Sequence, residues 1–461
     1  MTSKLHPGLL HDAVDYADRW VAHQQDRKDL PGVVVAIRHQ DQLLLAKGSG
    51  HADMERHLPM TPGHIFRIAS HSKTFTATAI MQLVERGALR LDDRIADSIP
   101  WLREKAGLLD VTIRQVLNHS AGIVRDGIDA DHWLLDHPFP DHDALRHLTE
   151  DGGRVLDPNE GFKYSNIGYG LLGMVIEAAS GLSYHEYVKR YIIQPLGLAD
   201  TGPELDAHAE ARLATGYTVR RYGRPRRPLP HVTTGALAAA TGFYSTAEDL
   251  CRYAAAHFLG DDTLLTDASK REMQQPYWKP EQSDRHYGLG FVVTDTDERR
   301  LVGHSGGFPG FITQTLFDPK ERLVVVVLTN DSSGAADPLM RGIMSIIEFA
   351  HKPRTGPNQG FGDQRERFTG RFANEGGVTD VALFGDTLFA LSPDADNPVQ
   401  VTDTLAAEDA HTLRITEAPG FGSRGEAIRY THDAEGKITK IVAGGITSYP
   451  LEIFLRRPLR D

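Results

Sequence analysis

The feature that most constrains the fold is where strand and helix patterns fall along the first 351 residues. Near the N-terminus, "GVVVAIRHQDQLLLAKGSG" holds two apolar runs around the polar "RHQDQ", the pattern of a β-hairpin. Strand patterns return much later as "YGLGFVV", "RLVGHS", "FITQTLF" and "RLVVVVLTN", the last two joined by the turn-forming "DPKE". Residues 72–258 between them read as mainly helical, with "KTFTATAIMQLVERG", "TIRQVLNH", "NIGYGLLGMVIEAASG" and "STAEDLCRYAAAHF" as the clearest helices. The last of these opens on a capping-box-like Ser245-Thr246-Ala247-Glu248. A helix over roughly 9–25 precedes the hairpin, and another near 338–351 closes the region. Strands at both ends with helices between them predict an α+β domain, one antiparallel sheet carrying a helical insertion.

A second texture begins after residues 352–366, "KPRTGPNQGFGDQRE", whose Pro, Gly and polar content reads as a linker. Residues 367–461 hold short strand patterns with turn signals between them, including "TDVALFGDTLFALSP", "HTLRIT", "GEAIRYTHDAEGKITKIVAGG" and "SYPLEIFLRR". They predict a small all-β domain, a barrel. The expected organisation is therefore a large domain over 1–351, a linker over 352–366 and a β domain over 367–461.

Charge excludes one class of partner. A formal net charge of -12 would repel a phosphate backbone, so a general nucleic-acid binder is not expected. The basic "RRYGRPRRP" at 220–228 runs against that trend and reads as a solvated loop. The N-terminal segment lacks a continuous apolar core and a small-residue cleavage site, and the longest aliphatic run, "LVVVVL", is too short to span a bilayer. A cytoplasmic protein without membrane attachment is expected. Cys251 is the single cysteine, which rules out an intramolecular disulfide and suits a buried core thiol.

Several motifs compete for the chemistry. Gly303-His304-Ser305-Gly306-Gly307 matches the G-x-S-x-G nucleophile elbow, which requires a helix directly after the serine. Here "GGFPGF" and then the strand-like "FITQTLF" follow, so Ser305 is not expected to be the nucleophile. Gly168-Tyr169-Gly170-Leu171-Leu172-Gly173 matches a dinucleotide fingerprint, but no strand leads into it, and helix-packing glycines are the better reading. The histidines of "DHWLLDHPFPDHDALRH" recur every five residues, which puts no pair on one helical face, so a polar loop or lid is expected there rather than a zinc site. No cofactor and no metal are called for.

The informative segment is "FRIASHSKTFTATAIMQLVERG". Ser70-His71-Ser72-Lys73 is S-x-x-K, with a serine at a helix start and a lysine one turn on, on the same face. The Ser70 backbone N–H is then an unpaired donor available to an oxyanion, and Lys73 can share the hydroxyl proton. Alone, the motif fits an N-cap serine followed by a solvated lysine equally well. Tyr164-Ser165-Asn166, at a loop-to-helix junction, offers a phenol for proton transfer and an amide for substrate; a packing tyrosine with an Asn cap is the plainer reading. His304-Ser305-Gly306 on an edge strand is the third element.

In this order and spacing the three elements resemble the penicillin-binding protein and serine β-lactamase superfamily, in its class C-like branch of D-aminopeptidases, esterases, transpeptidases and penicillin-binding-protein-type thioesterases. "LDDRI", "VLNHSAGI" and "GFYSTAEDL" add to the likeness, which covers about 31–351. The resemblance implies a serine acyl-enzyme hydrolase or acyltransferase acting on peptides, amides or (thio)esters, with a preference for D-residues. Ser70 would be the nucleophile, Lys73 and Tyr164 would exchange its proton, and His304 would take the third-motif basic position. Asn166 would hold the substrate amide, with Ser305, Gly306 and Gly307 forming a bare strand for substrate. The N–H groups of Ser70 and Gly307 would form the oxyanion hole. Most β-lactamases carry lysine where this chain has His304, which argues against efficient β-lactamase activity. The β domain resembles the lipocalin-like barrels that follow such catalytic domains, and Arg456 or Arg457, in its last strand-like run, would meet a substrate carboxylate or simply be a solvated strand end. The implied partner is a small-molecule or peptide substrate, including a carrier-bound thioester; the alternative acceptor is an amine, as in a thioesterase that cyclises a nonribosomal peptide. Oligomeric state stays open.

Overall fold

The fold is that of a computed structural model describing residues 5–104, 107–150, 153–295, 299–352, 362–420 and 422–458. Contacts divide the chain into two compact units, one of residues 30–337 and one of residues 4–29 with 338–461. The division differs from the texture of the sequence, because helices Pro7–Arg27 and most of Ala336–Ala350 fall with the β domain.

In the first unit the strands are β1 (Gly32–His39), β2 (Gln42–Asp53), β3 (Leu58–Pro59), β4 (Phe66–Arg67), β5 (Tyr244–Ser245), β6 (His286–Tyr287), β7 (Val292–Asp295), β8 (Arg300–Phe308), β9 (Phe311–Asp318) and β10 (Leu323–Thr329). Eight of them form one antiparallel sheet in the order β3-β2-β1-β10-β9-β8-β7-β6, while β4 and β5 pair separately. The two ends of the unit meet where β1 pairs with β10, Val33 opposite Thr329. Strand β10 is buried at every position, which is why it reads as an unbroken apolar run instead of an alternating one.

The helical insertion centres on Ser72–Glu85, an interior helix buried from Ser72 to Leu83, whose buried threonine hydroxyls bond back to the carbonyls of the preceding turn. It packs against Asn166–Ser180. The fingerprint glycines lie on that second helix, where Cβ atoms on Gly168, Gly170 and Gly173 would press on Val116, Leu237 and Ala239. They are packing glycines. The Ala247–Ala255 helix is capped one residue later than the sequence suggests, by Thr246 accepting from the Asp249 N–H. Cys251 is fully buried in it.

Two readings change. "YGLGFVV" is not one strand: β6 and β7 are separated by a bend at Gly290, at φ +80, where a Cβ would collide with Ala77. The histidine-rich stretch is not simply a loop, since Asp131–Leu134 forms a 3-10 turn with His132 buried and His142–Glu150 forms an α-helix.

The second unit contains β11 (Gly370–Asn374), β12 (Gly377–Phe384), β13 (Thr387–Leu391), β14 (Asp403–Asp409), β15 (Thr412–Glu417), β16 (Ala427–His432), β17 (Ile438–Ala443) and β18 (Ile446–Pro450), closed into an antiparallel barrel. Phe368, Phe372, Val381, Leu388, Leu413, Ile428 and Ile441 fill its core, so closure removes every strand edge and buries a small apolar interior. The helix Pro7–Arg27 docks on this unit through Gln24, whose Nε2 donates to Pro393 O at 2.6 Å, and through His23–Asp394 and Lys28–Asp396. Residues 353–361 of the expected linker lie outside the described residues, and Gly362–Phe368 is a 3-10 helix. The last run is corrected as well: "SYPLEIFLRR" leaves the strand at Pro450 and turns into the helix Leu451–Phe454, so Arg456 follows a helix. No helix of the described residues is long and apolar enough to cross a membrane.

Candidate active site

Ser70 sits where β4 runs into a tight turn. Ala69 adopts φ +48, unusual for a residue with a Cβ, and Ala69–His71 form a single 3-10 turn before the α-helix begins at Ser72. Ser70 therefore precedes the α-helix proper, although the i, i+3 relation to Lys73 is kept. The intervening residues hold the turn in place. Ser72 Oγ donates to Ala69 O at 2.6 Å and accepts from the Phe243 N–H. His71 contacts Ile68 O through Nδ1 (2.8 Å) and Thr315 Oγ1 on β9 through Nε2 (3.0 Å). Burial pushes the His71 ring down to about 4, so it serves as a neutral bolt.

Lys73 is fully buried, and its Nζ has three polar neighbours: Asn166 Oδ1 at 2.6 Å, Ala240 O at 2.8 Å and Ser70 Oγ at 3.3 Å. Burial lowers its pKa well below that of an ordinary lysine. A neutral amine has two N–H donors and one lone pair. The two carbonyl oxygens can only accept, so in the neutral form that burial favours they take the two donors and the lone pair is free for the Ser70 hydroxyl. That is the arrangement of a general base.

Tyr164 is hydrogen-bonded to Ser70, and burial raises its pKa, so it is a phenol near neutrality. Its ring lies 4.8 Å from Lys73 Nζ. Asn166 is fixed from its other end, with Nδ2 donating to Asp126 Oδ1 at 2.6 Å. Ser165 caps the helix by accepting from Gly168 N–H, which orients the whole Tyr-Ser-Asn step.

Strand β8 supplies the third element. Strand β7 pairs with it as far as Gly303, and from His304 onward no strand among the described residues pairs with the edge away from β9. Burial alternates along it: His304 and Gly306 are buried, while Ser305 and Gly307 are exposed. Gly306 differs from the expectation of a bare substrate strand. A Cβ there would strike the Ile68 carbonyl oxygen, so its glycine allows β8 to lie against the turn that carries Ser70. A Cβ on Gly307 would meet only Ile312, at 3.6 Å. No helix follows Ser305, in keeping with a strand residue and not an elbow nucleophile.

Burial favours the neutral form of His304. Its Nδ1 lies 2.6 Å from Ser305 O, which can only accept, and its Nε2 lies 2.9 Å from the Tyr287 hydroxyl. Burial pushes its pKa down to about 3, with the neighbouring His71 and Lys73 adding to the effect.

A pocket of about 420 Å³ joins Ser70, Tyr164, Asn166, His304, Ser305 and Gly307, together with Arg125, Asp126, Trp133, Phe162, Arg285 and Tyr287. Every lining residue belongs to the first unit. Arg456 lies in the second unit, outside these lining residues.

Tyr287, Asp126 and His119 were not picked out as site residues from the sequence. His119, at φ +62, packs against the rings of Tyr164 (4.3 Å), Tyr287 (4.6 Å) and Tyr169 (5.2 Å), and its Nδ1 accepts from the Ser165 N–H. "VLNHSAGI", which contains it, was the available signal; a tyrosine at the end of a two-residue strand and an aspartate in a loop carry none.

Comparison with known proteins agrees with this geometry. The β-lactamase family profile matches residues 17–343. Penicillin-binding protein 4* of Bacillus subtilis (strain 168) is 30% identical over 318 residues, covering 66% of this chain and 69% of that protein. The octameric penicillin-binding protein homologue from Pyrococcus abyssi superposes with a TM-score of 0.66 at 25% identity, covering 94% of this chain and 99% of that one. The D-amino acid amidase from Ochrobactrum anthropi SV3, complexed with D-phenylalanine, superposes with a TM-score of 0.63 at 23% identity, over 73% of this chain and 99% of that one, a likeness of fold.

Proposed function

The chain belongs to the β-lactamase family, and from that premise we propose that it is a serine acyl-enzyme hydrolase or acyltransferase acting on peptides, amides or (thio)esters with a D-residue beside the scissile bond. The observation that carries the reading is the environment of Lys73, a fully buried amine whose Nζ lies 3.3 Å from Ser70 Oγ and against two carbonyl oxygens, where burial disfavours its charged form. Lys73 takes the Ser70 proton as Oγ attacks the substrate carbonyl carbon. The oxyanion that forms meets the N–H groups of Ser70 and Gly307. As the tetrahedral species collapses, the bond to the leaving amine, alcohol or thiol breaks. Tyr164 passes its phenol proton to that group and recovers one from the Lys73 ammonium. An acceptor then repeats the sequence in reverse and releases Ser70.

The D-preference draws on the fold shared with the D-amino acid amidase. Burial pushes His304 down to about 3, so it offers no cation near neutral pH to the carboxylate of a β-lactam, and turnover of such compounds is expected to be poor. The closed C-terminal barrel favours a second reading, a thioesterase that cyclises a nonribosomal peptide, in which an amine replaces water as acceptor and the donor is a carrier-bound thioester. Mass spectrometry of products from D-aminoacyl anilides, a chromogenic cephalosporin and peptidyl thioesters tests both. Free acids from the anilides support the hydrolase, and a product lighter than its hydrolysis product by one water supports the cyclase. Turnover of the cephalosporin alone would contradict both.

A further inference from the structure

The Tyr164 hydroxyl is hydrogen-bonded to Ser70, and the proposed reaction asks it to deliver a proton to the leaving group. A proton donor acts only within hydrogen-bond reach of its target, so whatever fixes Tyr164 shares in the rate. Tyr164 itself lies in irregular backbone just before the Asn166–Ser180 helix.

One residue holds that backbone on both sides of the tyrosine. His119 O accepts the Lys163 N–H at 2.7 Å, and His119 Nδ1 accepts the Ser165 N–H at 3.2 Å. Between these two bonds the imidazole lies against the Tyr164 ring, with centroids 4.3 Å apart. His119 makes all three contacts from φ +62, a region in which histidine, asparagine and aspartate are enriched over other side chains. Phe162, Tyr169 and Tyr287 enclose its ring at 5.6, 5.2 and 4.6 Å, and the residue is 1% exposed.

The tautomer follows from these contacts. A backbone N–H can only donate, so Nδ1 keeps its lone pair for Ser165 and the ring proton sits on Nε2. Nε2 is buried and has no hydrogen-bond partner among the described residues, only aromatic rings around it. Burial, with Lys73 nearby, holds the ring well below the ordinary histidine range, in keeping with a neutral acceptor. A nitrogen left unbonded in the interior is costly. An apolar side chain would fill the same space without that cost, but it would offer no acceptor beside Tyr164.

We propose that His119 is a positioning residue for the general acid: it clamps the peptide groups on either side of Tyr164 and so aims the phenol proton. The proposal rests on the acyl-enzyme reading and adds to it the residue that orients its proton donor.

A leaving group's need for a proton separates aim from general integrity. The amine expelled from D-phenylalanine 4-nitroanilide must gain a proton as the C–N bond breaks, whereas a D-phenylalanine S-phenyl thioester releases a thiolate that needs none. His119→Gly accommodates the positive φ and removes ring and acceptor together. It should lower kcat/KM for the anilide about 100-fold and for the thioester less than about fivefold. His119→Asn, whose Oδ1 can take the place of Nδ1, should return the anilide to within about tenfold of the unaltered enzyme. Tyr164→Phe should show the same bias against the anilide, and adding His119→Gly to it should widen that bias no further. Melting temperatures check that the variants are folded. His119→Gln, which keeps the bulk but sets its acceptor one bond too far out, supplies a second loss variant with the same expected bias. Equal losses for the two substrates, a bias that His119→Asn does not reverse, or a wider bias in the double variant would overturn the assignment. Turnover of neither substrate by the unaltered protein would overturn the acyl-enzyme reading, and this assignment with it.

Discussion

The floor of the pocket and the interior of the barrel are both buried, yet they are built on opposite terms. The barrel core is apolar apart from the Tyr430 hydroxyl, which donates to Phe368 O at 3.0 Å. The pocket floor instead buries Lys73, His71, His119, Asn166 and His304. Each of these groups is costly to remove from water, and each is held neutral or hydrogen-bonded. The difference teaches that the first unit accepts the cost of polar burial where it needs an amine in its neutral form. A hydrophobic replacement would pack equally well and do no chemistry.

The comparison predicts a hierarchy of effects. Ser70→Ala and Lys73→Met should each lower kcat/KM by about 10⁴-fold or more, with the fold retained by circular dichroism. Activity should also fall as pH drops through the depressed pKa of Lys73, since the protonated amine has no lone pair for Ser70.

Acid should weaken the first unit. His71 and His257 are pushed down to about 4 and His304 to about 3, in each case chiefly by burial. An unfolded chain binds protons at these rings below about pH 6.5 while the folded state does not, so the stability is complete above that pH and is lost as pH falls towards 4. The slope is about 1.4 kcal/mol per pH unit for each ring. Melting temperatures measured from pH 7.5 to 4 should fall through this window, and a flat profile would break the contrast. A cavity in the barrel should behave otherwise: Phe372→Ala is expected to cost about 3–5 kcal/mol by denaturant unfolding, equally at pH 7 and pH 5.

The adjacent glycines of β8 give the sharpest and smallest contrast. Gly306→Ala should cost about 3 kcal/mol, because β8 would have to move off the Ile68 backbone. Gly307→Ala should change stability by less than about 1 kcal/mol. Equal effects in the unfolding assay would mean that β8 does not depend on this close approach.

The same contrast explains what could be read before the structure. Periodicity reports apolar burial, so the hairpin at 32–53, the interior helix Ser72–Glu85 and the barrel strands were all legible. Spacing reports local chemistry, so Ser70 and Lys73 were visible as a pair. Two kinds of information were not visible. One is a bend forced by a distant neighbour, as at Gly290 against Ala77, or a helix that ends a strand-like run, as at Leu451–Phe454. The other is protonation state. His304 stands where most relatives of this kind carry a cation, and only its burial in the folded chain favours a neutral ring. Tyr287 is 17 positions away from His304 in sequence, and nothing local links them.

The central claim is that a neutral Lys73 makes Ser70 the acyl-enzyme nucleophile. The most direct measurement is mass spectrometry of the protein quenched in acid during turnover of a D-phenylalanine ester, followed by peptide mapping of the adduct. The account predicts one acyl group on the peptide containing Ser70, lost in Ser70→Ala and strongly reduced in Lys73→Met. An adduct on Ser305, or one that persists in Ser70→Ala, would contradict it.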